Sequence, residues 1–374
     1  MSEARAQNQQ KVFDRLAKRF EGKIRSTFSA NDQEAVNDFL SKAFGSNSIQ
    51  NSMSYNEWLF KMNTTNSQLI AWDGGEVSGC QSGLSCTFTS PGGELNGTWA
   101  IDLSVRDDWK MKGLGVALIK KLMDNNELVM GLGISPSAQA MFKRLGWKDM
   151  GQTNRYIKPL SSAGFSNLQQ DNKLKKSILF PLAAWGVRLV TKLRLLFEDS
   201  YSVKSISNFE SCEQELDIIT SKQKRASHLI CTKKNASYLQ WRFLNSPSKN
   251  NPYNINLLYK DKTPHAYVVS KIAIWEEKKV LVICDYLGGK DCYSSIIKTL
   301  EAQALEAGVD AIIYQGIDTE FEAQLRKSLF VKRPHGDIFM IYCNESISGR
   351  DLILDISNWH ITFSDSDTDF IFFN

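Results

Sequence analysis

Hydrophobic and polar positions follow two periods along the first 160 residues of the chain. Apolar residues recur at steps of three or four in some segments and form short continuous runs in others. In chain order the predicted elements are a charged helix over 1–20, a strand over Gly22–Phe28, an amphipathic helix over Asn31–Phe44 capped by Asn31, a hairpin of strands over Ser67–Trp72 and Val77–Thr89, and strands over Gly97–Val105 and Glu127–Ile134. This order predicts an α+β fold, in which a mixed, mostly antiparallel sheet is flanked by helices and splays near residues 105 and 134.

The turn after the strand Gly97–Val105 has the order basic-x-x-Gly-x-Gly, with Lys110, Gly113 and Gly115 at the fixed positions. It opens a predicted helix over Val116–Met123. Glycine lets a ligand approach the backbone closely, and the N-terminus of the helix carries partial positive charge. The turn therefore predicts a site for an anion such as a pyrophosphate.

Several landmarks of the first half of the chain recur in the second half, each 183 positions later. They are Tyr55-x-x-Trp58-x-Phe60 and Tyr238-x-x-Trp241-x-Phe243, Asp102 and Asp285, Gly133-Ile134 and Gly316-Ile317, and Trp147 and Phe330. One offset shared by separate motifs indicates two copies of one domain. We predict an N-terminal helical extension over 1–21, a first domain over 22–160, a linker over 161–200 and a second domain over 201–374.

The two copies differ at the glycine turn. Between Asp285 and a predicted helix over Tyr293–Leu305, the second copy is about five residues shorter and lacks the glycine-and-lysine order. We therefore expect one cofactor per chain, held by the first copy. A degenerate anion site at Lys290, next to Gly288 and Gly289, is the alternative.

Composition narrows the class of protein. The 374 residues are 42% hydrophobic and 23% charged, which is ordinary for globular domains, and a net charge of +4 is too small to indicate nucleic-acid binding. Seven cysteines without framework spacing indicate a reducing compartment. Cys80 and Cys86 have no second Cys or His pair at zinc-finger spacing, so we expect no metal. The N-terminus has no apolar signal segment, and we expect a cytoplasmic protein.

The segment Lys173–Phe197 carries a stripe of apolar residues surrounded by basic ones. The apolar positions are Leu174, Ile178, Leu182, Trp185, Leu189, Leu193 and Leu196. Two interpretations stay open: a connector, kinked at Pro181, whose apolar face packs on the second copy, or a peripheral helix on an anionic membrane. The segment is too charged and interrupted to span a bilayer.

The glycine turn and the segments that follow it resemble the GNAT acyltransferase superfamily. That family places an aromatic residue and Gln or Arg before its glycines, then Asn-x-x-Ala-x-x-x-Tyr-x-x-x-Gly-Phe. This chain has Lys110 for the Gln or Arg, Ser135 for the Asn, Phe142 for the Tyr and Trp147 for the Phe. The resemblance implies an acyl-CoA-dependent N-acyltransferase, with acetyl-CoA or another acyl-CoA as cofactor. The residues that it places at the cofactor are Leu103, Val105, Lys110, Met111, Lys112, Gly113, Leu114, Gly115, Ser135 and Ala138.

The proton chemistry departs from the family pattern at Phe142, because a phenyl ring cannot donate a proton to the departing thiolate. Tyr156 is the candidate substitute acid. Asp102 is the candidate general base, although Asp285 persists in the copy without a glycine turn, which equally favours a structural strand aspartate.

The segment around Tyr238 and the tail over 359–367 are similar to tandem GNAT proteins associated with bacterial cell-surface polysaccharide synthesis. That similarity implies an amine acceptor on a sugar or sugar-linked intermediate, contacted by Arg242, Asp365 and Asp367. The paired Tyr-x-x-Trp-x-Phe segments themselves are typical of core packing. Two other classes remain: a Fem-type aminoacyl transferase that uses aminoacyl-tRNA, and a non-catalytic CoA-binding or assembly protein.

Overall fold

The computed structural model describes residues 3–26, 32–165, 179–197, 199–226, 230–247, 252–334 and 336–372. The expected cap Asn31, the end of the strand predicted over Gly22–Phe28 and residues 173–178 of the linker segment lie outside these ranges. The chain divides into two compact units. Unit 1 is formed by 1–88, 92–151 and 337–356, and unit 2 by 89–91, 152–336 and 357–374.

The strands of the described residues are β1 (Ile24–Arg25), β2 (Ser67–Asp73), β3 (Glu76–Ser90), β4 (Gly93–Val105), β5 (Leu128–Leu132), β6 (Lys148–Gln152), β7 (Asn154–Pro159), β8 (Ser202–Ser205), β9 (Cys231–Thr232), β10 (Tyr253–Lys260), β11 (Thr263–Trp275), β12 (Lys278–Gly288), β13 (Ala311–Gly316), β14 (Val331–Arg333) and β15 (Ile338–Cys343). The helices are α1 (Glu3–Phe20), α2 (Gln33–Phe44), α3 (Met53–Asn56), α4 (Leu114–Asp124), α5 (Pro136–Arg144), α6 (Ser162–Phe165), α7 (Phe180–Leu196), α8 (Glu213–Ala226), α9 (Ala236–Leu239), α10 (Tyr293–Ala307), α11 (Thr319–Lys327), α12 (Arg350–Ile353) and α13 (Thr368–Phe372).

Each unit contains a mixed sheet, as the sequence predicts. The order in unit 1 is β1-β2-β3-β4-β5-β15-β6, and in unit 2 it is β14-β7-β13-β12-β11-β10-β8. The central pair is parallel in both sheets, β4 with β5 and β12 with β13. In unit 1 the paired register runs from Thr98↔Val129 to Trp99↔Met130, so β4 continues to Val105 beyond its ladder with β5. This is the predicted splay.

Equivalent strands of the two copies are exchanged between the units. β7 follows the first copy in sequence but lies in the unit 2 sheet between β13 and β14. β15 begins 184 residues after β7 begins, and it lies in the unit 1 sheet between β5 and β6. The predicted boundaries at 160 and 201 therefore do not divide the folded units, because strand pairing depends on contacts distant in sequence.

The 183-residue offset is conserved in the geometry. α3 and the π-helical turn Glu57–Lys61 recur as α9 and the π-helical turn Gln240–Leu244. Ser52 caps the first helix and Asn235 caps the second, each accepting from the backbone N–H three residues later. α5 and α11 also correspond at both ends. The prediction of an internal duplication fits these paired elements.

The repeated aromatic residues belong to the cores. Tyr55 and Trp58 are buried in unit 1, and Trp241 and Phe243 are buried in unit 2. The packing interpretation of these segments is thus confirmed.

Pro181 lies in the first turn of α7 and not in the interior of the helix. A proline costs little there, because the first N–H groups of a helix have no intrahelical acceptor. The expected kink is therefore absent from the described helix.

Candidate functional site

The site begins where β4 leaves its ladder with β5. Asp102 has a positive φ of 57°, a conformation that few residues other than glycine adopt. Its backbone carbonyl accepts a hydrogen bond from Cys80 Sγ at 3.1 Å, and its carboxylate Oδ1 accepts one from Gln50 Nε2 at 3.1 Å. These contacts hold the side chain at a local irregularity of the strand.

Burial raises the pKa of Asp102 to about 6, and the Gln50 amide opposes this shift by stabilising the carboxylate. A carboxyl group with this pKa is mostly ionised at neutral pH, yet it is a stronger base than an ordinary aspartate. Both properties suit a group that accepts a proton from an amine.

The turn between β4 and α4 carries the basic residues. Arg106 forms ion pairs with Asp108 at 2.6 Å and with Glu76 at 2.7 Å. Lys110 is exposed and pairs with Asp107, while Lys112 lies 5.2 Å from the Trp109 ring centre. The basic side chains of the turn therefore contact neighbouring carboxylates and the Trp109 ring.

Gly113 is the N-cap residue of α4 and has a left-handed φ of 91°. Among the described residues, no side chain caps this helix. The N–H groups of the first helical turn have no intrahelical acceptor, so those of Leu114 and Gly115 are available to an anion. The backbone N–H groups of Lys110 and Lys112, in contrast, donate to Asp107 and Trp109. We call the backbone of Lys110 to Gly115, expected to bind the anion, the cradle. Fewer of its N–H groups are available to an anion than the sequence predicts.

The two glycines of the turn have different surroundings. A Cβ built on Gly113 would lie 2.8 Å from a terminal methyl of Leu16, a residue of α1. A Cβ on Gly115 would meet only ordinary contacts, 3.6 Å from Val105. The charged N-terminal helix α1 thus packs against the turn at Gly113, and the end of β4 lies next to Gly115.

A cleft of about 570 Å³ adjoins the turn and the end of β4. Its lining includes Leu103, Val105 and Lys110, three of the predicted cofactor residues. The side of α2 and the β2–β3 turn complete it. The lining of the cleft ends at Lys110, three residues before Gly113, the N-cap residue of α4.

Ser135 and Ala138 have a local role at α5. Ser135 is its N-cap residue, and its Oγ accepts a hydrogen bond from the Ala138 backbone N–H at 3.3 Å. The serine thus replaces the asparagine of the GNAT pattern as a capping residue. Phe142 of the same helix is buried and stacks on Trp147 at 4.5 Å between ring centres.

Tyr156 lies on β7 in the sheet of unit 2 and its side chain is fully buried, so its predicted role as the acid is not supported. Its hydroxyl is buried, donates to Glu322 at 3.2 Å and accepts from Arg326 at 2.6 Å. Burial raises the pKa of this phenol. The buried contacts with Glu322 and Arg326, which sequence reading did not anticipate, are the reason for this correction.

The predicted acceptor contacts are also internal to unit 2. Arg242 is buried and bonds to Asp369 and to the backbone carbonyls of Ser364 and Ser366. Asp365 is buried beside Lys234, and Asp367 is buried as well. Burial raises the pKa of Asp365, but the charges of Lys234 and His360 outweigh that effect and lower it. Arg242 and Asp365 are therefore structural ion-pair residues and not acceptor contacts.

The second copy has another turn at the equivalent position. A short 3₁₀ turn over Lys290–Cys292 leads directly into α10, and Gly289 has an ordinary φ of −75°. Lys290 pairs with Glu320 at 2.6 Å. From β12 to α10 the connection is four residues shorter than from β4 to α4. Within these described residues the left-handed glycine cap of the first copy is missing.

Sequence reading missed three supporting residues. Gln50 precedes Asp102 by 52 positions, Cys80 by 22, and Leu16 belongs to a helix that we predicted only as an extension. Nothing in a linear pattern links such positions. Only the apolar residues of α1 gave a signal, since they predict that this helix has a packed face.

A scan against protein-family models found no match, and no curated protein matched the chain in sequence. Solved structures match over most of its length. A GCN5-related N-acetyltransferase from Anabaena variabilis is 13% identical with a TM-score of 0.59, covering 85% of this chain and 72% of that protein. One from Kribbella flavida is 11% identical with a TM-score of 0.57, covering 85% and 70%.

The N-myristoyltransferase of Saccharomyces cerevisiae, solved with bound myristoyl-CoA, is 10% identical with a TM-score of 0.56. The match covers 85% of this chain and 82% of that protein. At these identities the similarity is one of fold. The mixed sheets flanked by helices agree with it, and the chain has the fold of the GCN5-related N-acetyltransferases.

Proposed function

We propose that this chain is an acyl-CoA-dependent N-acyltransferase that holds its cofactor in unit 1. The observation that carries the proposal is the left-handed Gly113 at the start of α4, which opens an uncapped helix N-terminus three residues after Lys110, a lining residue of the cleft at the end of β4. Helix N-termini of this kind bind phosphate groups. The fold similarity to N-acetyltransferases supports the same assignment.

The residues of the turn fit a pyrophosphate. Gly115 has no side chain between its backbone and Val105, whose methyl lies 3.6 Å from where a Cβ would stand. The N–H groups of the first turn of α4 have no intrahelical acceptor. Lys110 and Lys112 add positive charge at the rim. An acyl-CoA supplies an activated thioester carbonyl when it is bound. The backbone N–H groups of β4 beyond its ladder with β5 would orient the thioester.

Asp102 is the proposed general base. Its raised pKa and its hydrogen bond from Gln50 keep a carboxylate ready to accept the proton that an acceptor amine loses on attack. It directly precedes Leu103, Ser104 and Val105, the last residues of β4, which line the cleft.

The departing thiolate receives no proton from Phe142. The positive end of α4 stabilises negative charge at the cleft, so solvent protonates the thiolate in this proposal. This division of labour differs from the family pattern, in which a tyrosine occupies the Phe142 position.

For the acceptor we propose a primary amine carried by a sugar. The cleft is lined by both carboxylates and cations, which together suit a ligand rich in hydroxyl and amine groups better than an apolar one. These residues are Asp38, Lys42, Glu76, Arg106, Asp107 and Lys110.

The test is calorimetry with acetyl-CoA followed by a thiol-release assay with glucosamine and with a lysine-containing peptide. We expect one binding site per chain and faster release with glucosamine. Two equal sites would contradict the single cradle, and faster release with the peptide would contradict the sugar acceptor. Binding without release from any amine would indicate a CoA-binding or assembly protein. No binding of acetyl-CoA, with transfer from aminoacyl-tRNA, would indicate a Fem-type enzyme.

A further inference from the structure

The helix α7 presents its apolar residues to solvent. Trp185 is 65% exposed and Leu196 is 80% exposed. The other large apolar side chains that are exposed on this helix and at its two ends are Leu179, Leu182, Leu189, Val190, Leu193 and Phe197. A helix of a water-soluble domain normally turns such a stripe toward the core.

The inward side of α7 is made of smaller and polar residues. Ala184 and Thr191 are buried, and Val187 packs against the unit 2 core. Arg194 reaches the buried Glu301 at 2.8 Å. These contacts fix which side of the helix faces unit 2. The connector interpretation, which expected the apolar face to pack on the second copy, is therefore wrong for the described part of the segment.

The charge of the segment has one sign. Residues 179–197 contain Arg188, Lys192 and Arg194 and no Asp or Glu. Lys173, Lys175 and Lys176 precede them in the sequence. An exposed Trp and Leu stripe with basic flanks matches the headgroup boundary of an anionic bilayer, where apolar side chains enter the acyl region and cations contact lipid phosphates.

We propose that α7 docks this chain on the surface of an anionic membrane. The helix would lie in the plane of the interface, with the Trp185 and Leu193 side inserted and Lys192 extended to the headgroups. Its 17 residues correspond to about 25 Å of helix, and no helix in the described ranges is long and apolar enough to cross a membrane. This inference is independent of the proposed acyl transfer.

A second copy of this chain is the competing occupant. A symmetric dimer through α7 would bring the same basic residues of the two copies onto one interface, where nothing acidic on the helix compensates them. Anionic lipid supplies the complementary charge, and so the charge pattern favours the membrane.

The experiment is sedimentation of the full chain with vesicles of phosphatidylcholine alone or with about 30% phosphatidylglycerol, at low and high salt. We expect binding only to the anionic vesicles, weakened by salt. The Leu189→Glu/Leu193→Glu double variant should bind at least about tenfold more weakly. Val12→Glu, which changes an exposed apolar residue of another helix, should bind like the natural chain.

Insertion has its own readout. Brominated lipids should quench part of the tryptophan fluorescence, and Trp185→Phe should remove that part although the other eight tryptophans remain. Absence of binding to anionic vesicles at low salt would overturn the proposal. So would a dimer in analytical ultracentrifugation that the double variant converts to monomer while lipid binding is absent.

Discussion

The residues Asp102 and Asp285 occupy equivalent positions of the two copies but lie in opposite environments. Asp102 accepts one hydrogen bond from an uncharged amide, and burial leaves its charged form at a disadvantage. Asp285 is fully buried and accepts from Lys234 at 2.5 Å, Tyr267 at 2.9 Å and Thr362 at 3.0 Å. The duplicated aspartate is therefore a candidate base in unit 1 and a structural ion-pair residue in unit 2.

Asp102→Asn is expected to lower kcat by about 10²-fold while acetyl-CoA affinity changes little, because the amide cannot accept the proton of the acceptor. Asparagine tolerates a positive φ, so the backbone stays in place. The measurement is steady-state kinetics with calorimetry of acetyl-CoA binding. Full kcat in this variant would show that Asp102 is not the base.

The pH dependence of the natural chain follows from the same pKa. Because the base acts when ionised, kcat/KM should rise with pH up to about 6 and then level off. Asp102→Asn should lose that rise. A natural-chain profile that is flat from pH 5 to 7 would contradict the assignment.

The free energy of unfolding should fall with rising pH, in contrast to kcat/KM. The folded pKa of about 6 exceeds the ordinary value of 3.8, so the folded chain binds more protons than the unfolded chain between these values and loses stability as pH rises through them. Asp102→Asn removes this cost and should be more stable by about 1–2 kcal/mol at pH 7, with no gain below pH 4. Urea unfolding at both pH values measures it.

Asp285→Asn serves as the matched comparison. It leaves the buried Lys234 with a weakened partner, so we expect a loss of about 3–5 kcal/mol in unfolding free energy. Acetyl-CoA affinity of the folded fraction should stay unchanged, since the cradle belongs to unit 1. A variant as stable as the natural chain would show that the ion pair contributes nothing net.

At the scale of elements, the cradle depends on one backbone conformation at the start of α4. Gly113→Val should reduce acetyl-CoA affinity by more than about tenfold, because a branched side chain resists the left-handed region and its Cβ would meet Leu16. Gly146→Val is the control, since Gly146 has a φ of 88° with open space around it. It should cost stability without weakening acetyl-CoA binding. Equal affinity losses in both variants would mean that strain alone, and not the cradle, is responsible.

The elements around this site were largely predictable from sequence. The strand before the turn and the helix after it follow from patterns within about 15 residues. The left-handed backbone at Asp102 was not predictable, since it lies beyond the ladder of β4 with β5 and is held by Gln50 and Cys80 from distant segments. Local patterns contain no information about that pairing.

At the scale of the whole molecule, the exchange of β7 and β15 makes each unit depend on the other half of the chain. A fragment over 1–160 lacks β15, which lies between β5 and β6 in the unit 1 sheet. We expect this fragment to show no cooperative thermal unfolding and no acetyl-CoA binding, because an internal strand of its sheet is missing.

Adding a synthetic peptide over 336–356 should restore part of both signals, whereas a scrambled peptide of the same composition should not. Differential scanning calorimetry and calorimetric titration make the comparison. A fragment that unfolds cooperatively and binds acetyl-CoA alone would show that the exchanged strand is dispensable.

The sequence by itself determined the duplication, because separate motifs share one offset of 183 residues. It also determined the order of helices and strands and the single glycine turn, because these follow from local spacing. Only the tertiary structure decided which sheet receives β7 and β15, that Tyr156, Arg242 and Asp365 are internal, and that α7 turns its apolar stripe outward. Two copies of one fold offer each strand two chemically similar places. The choice between them rests on packing and pairing across long sequence distances, which no local pattern encodes.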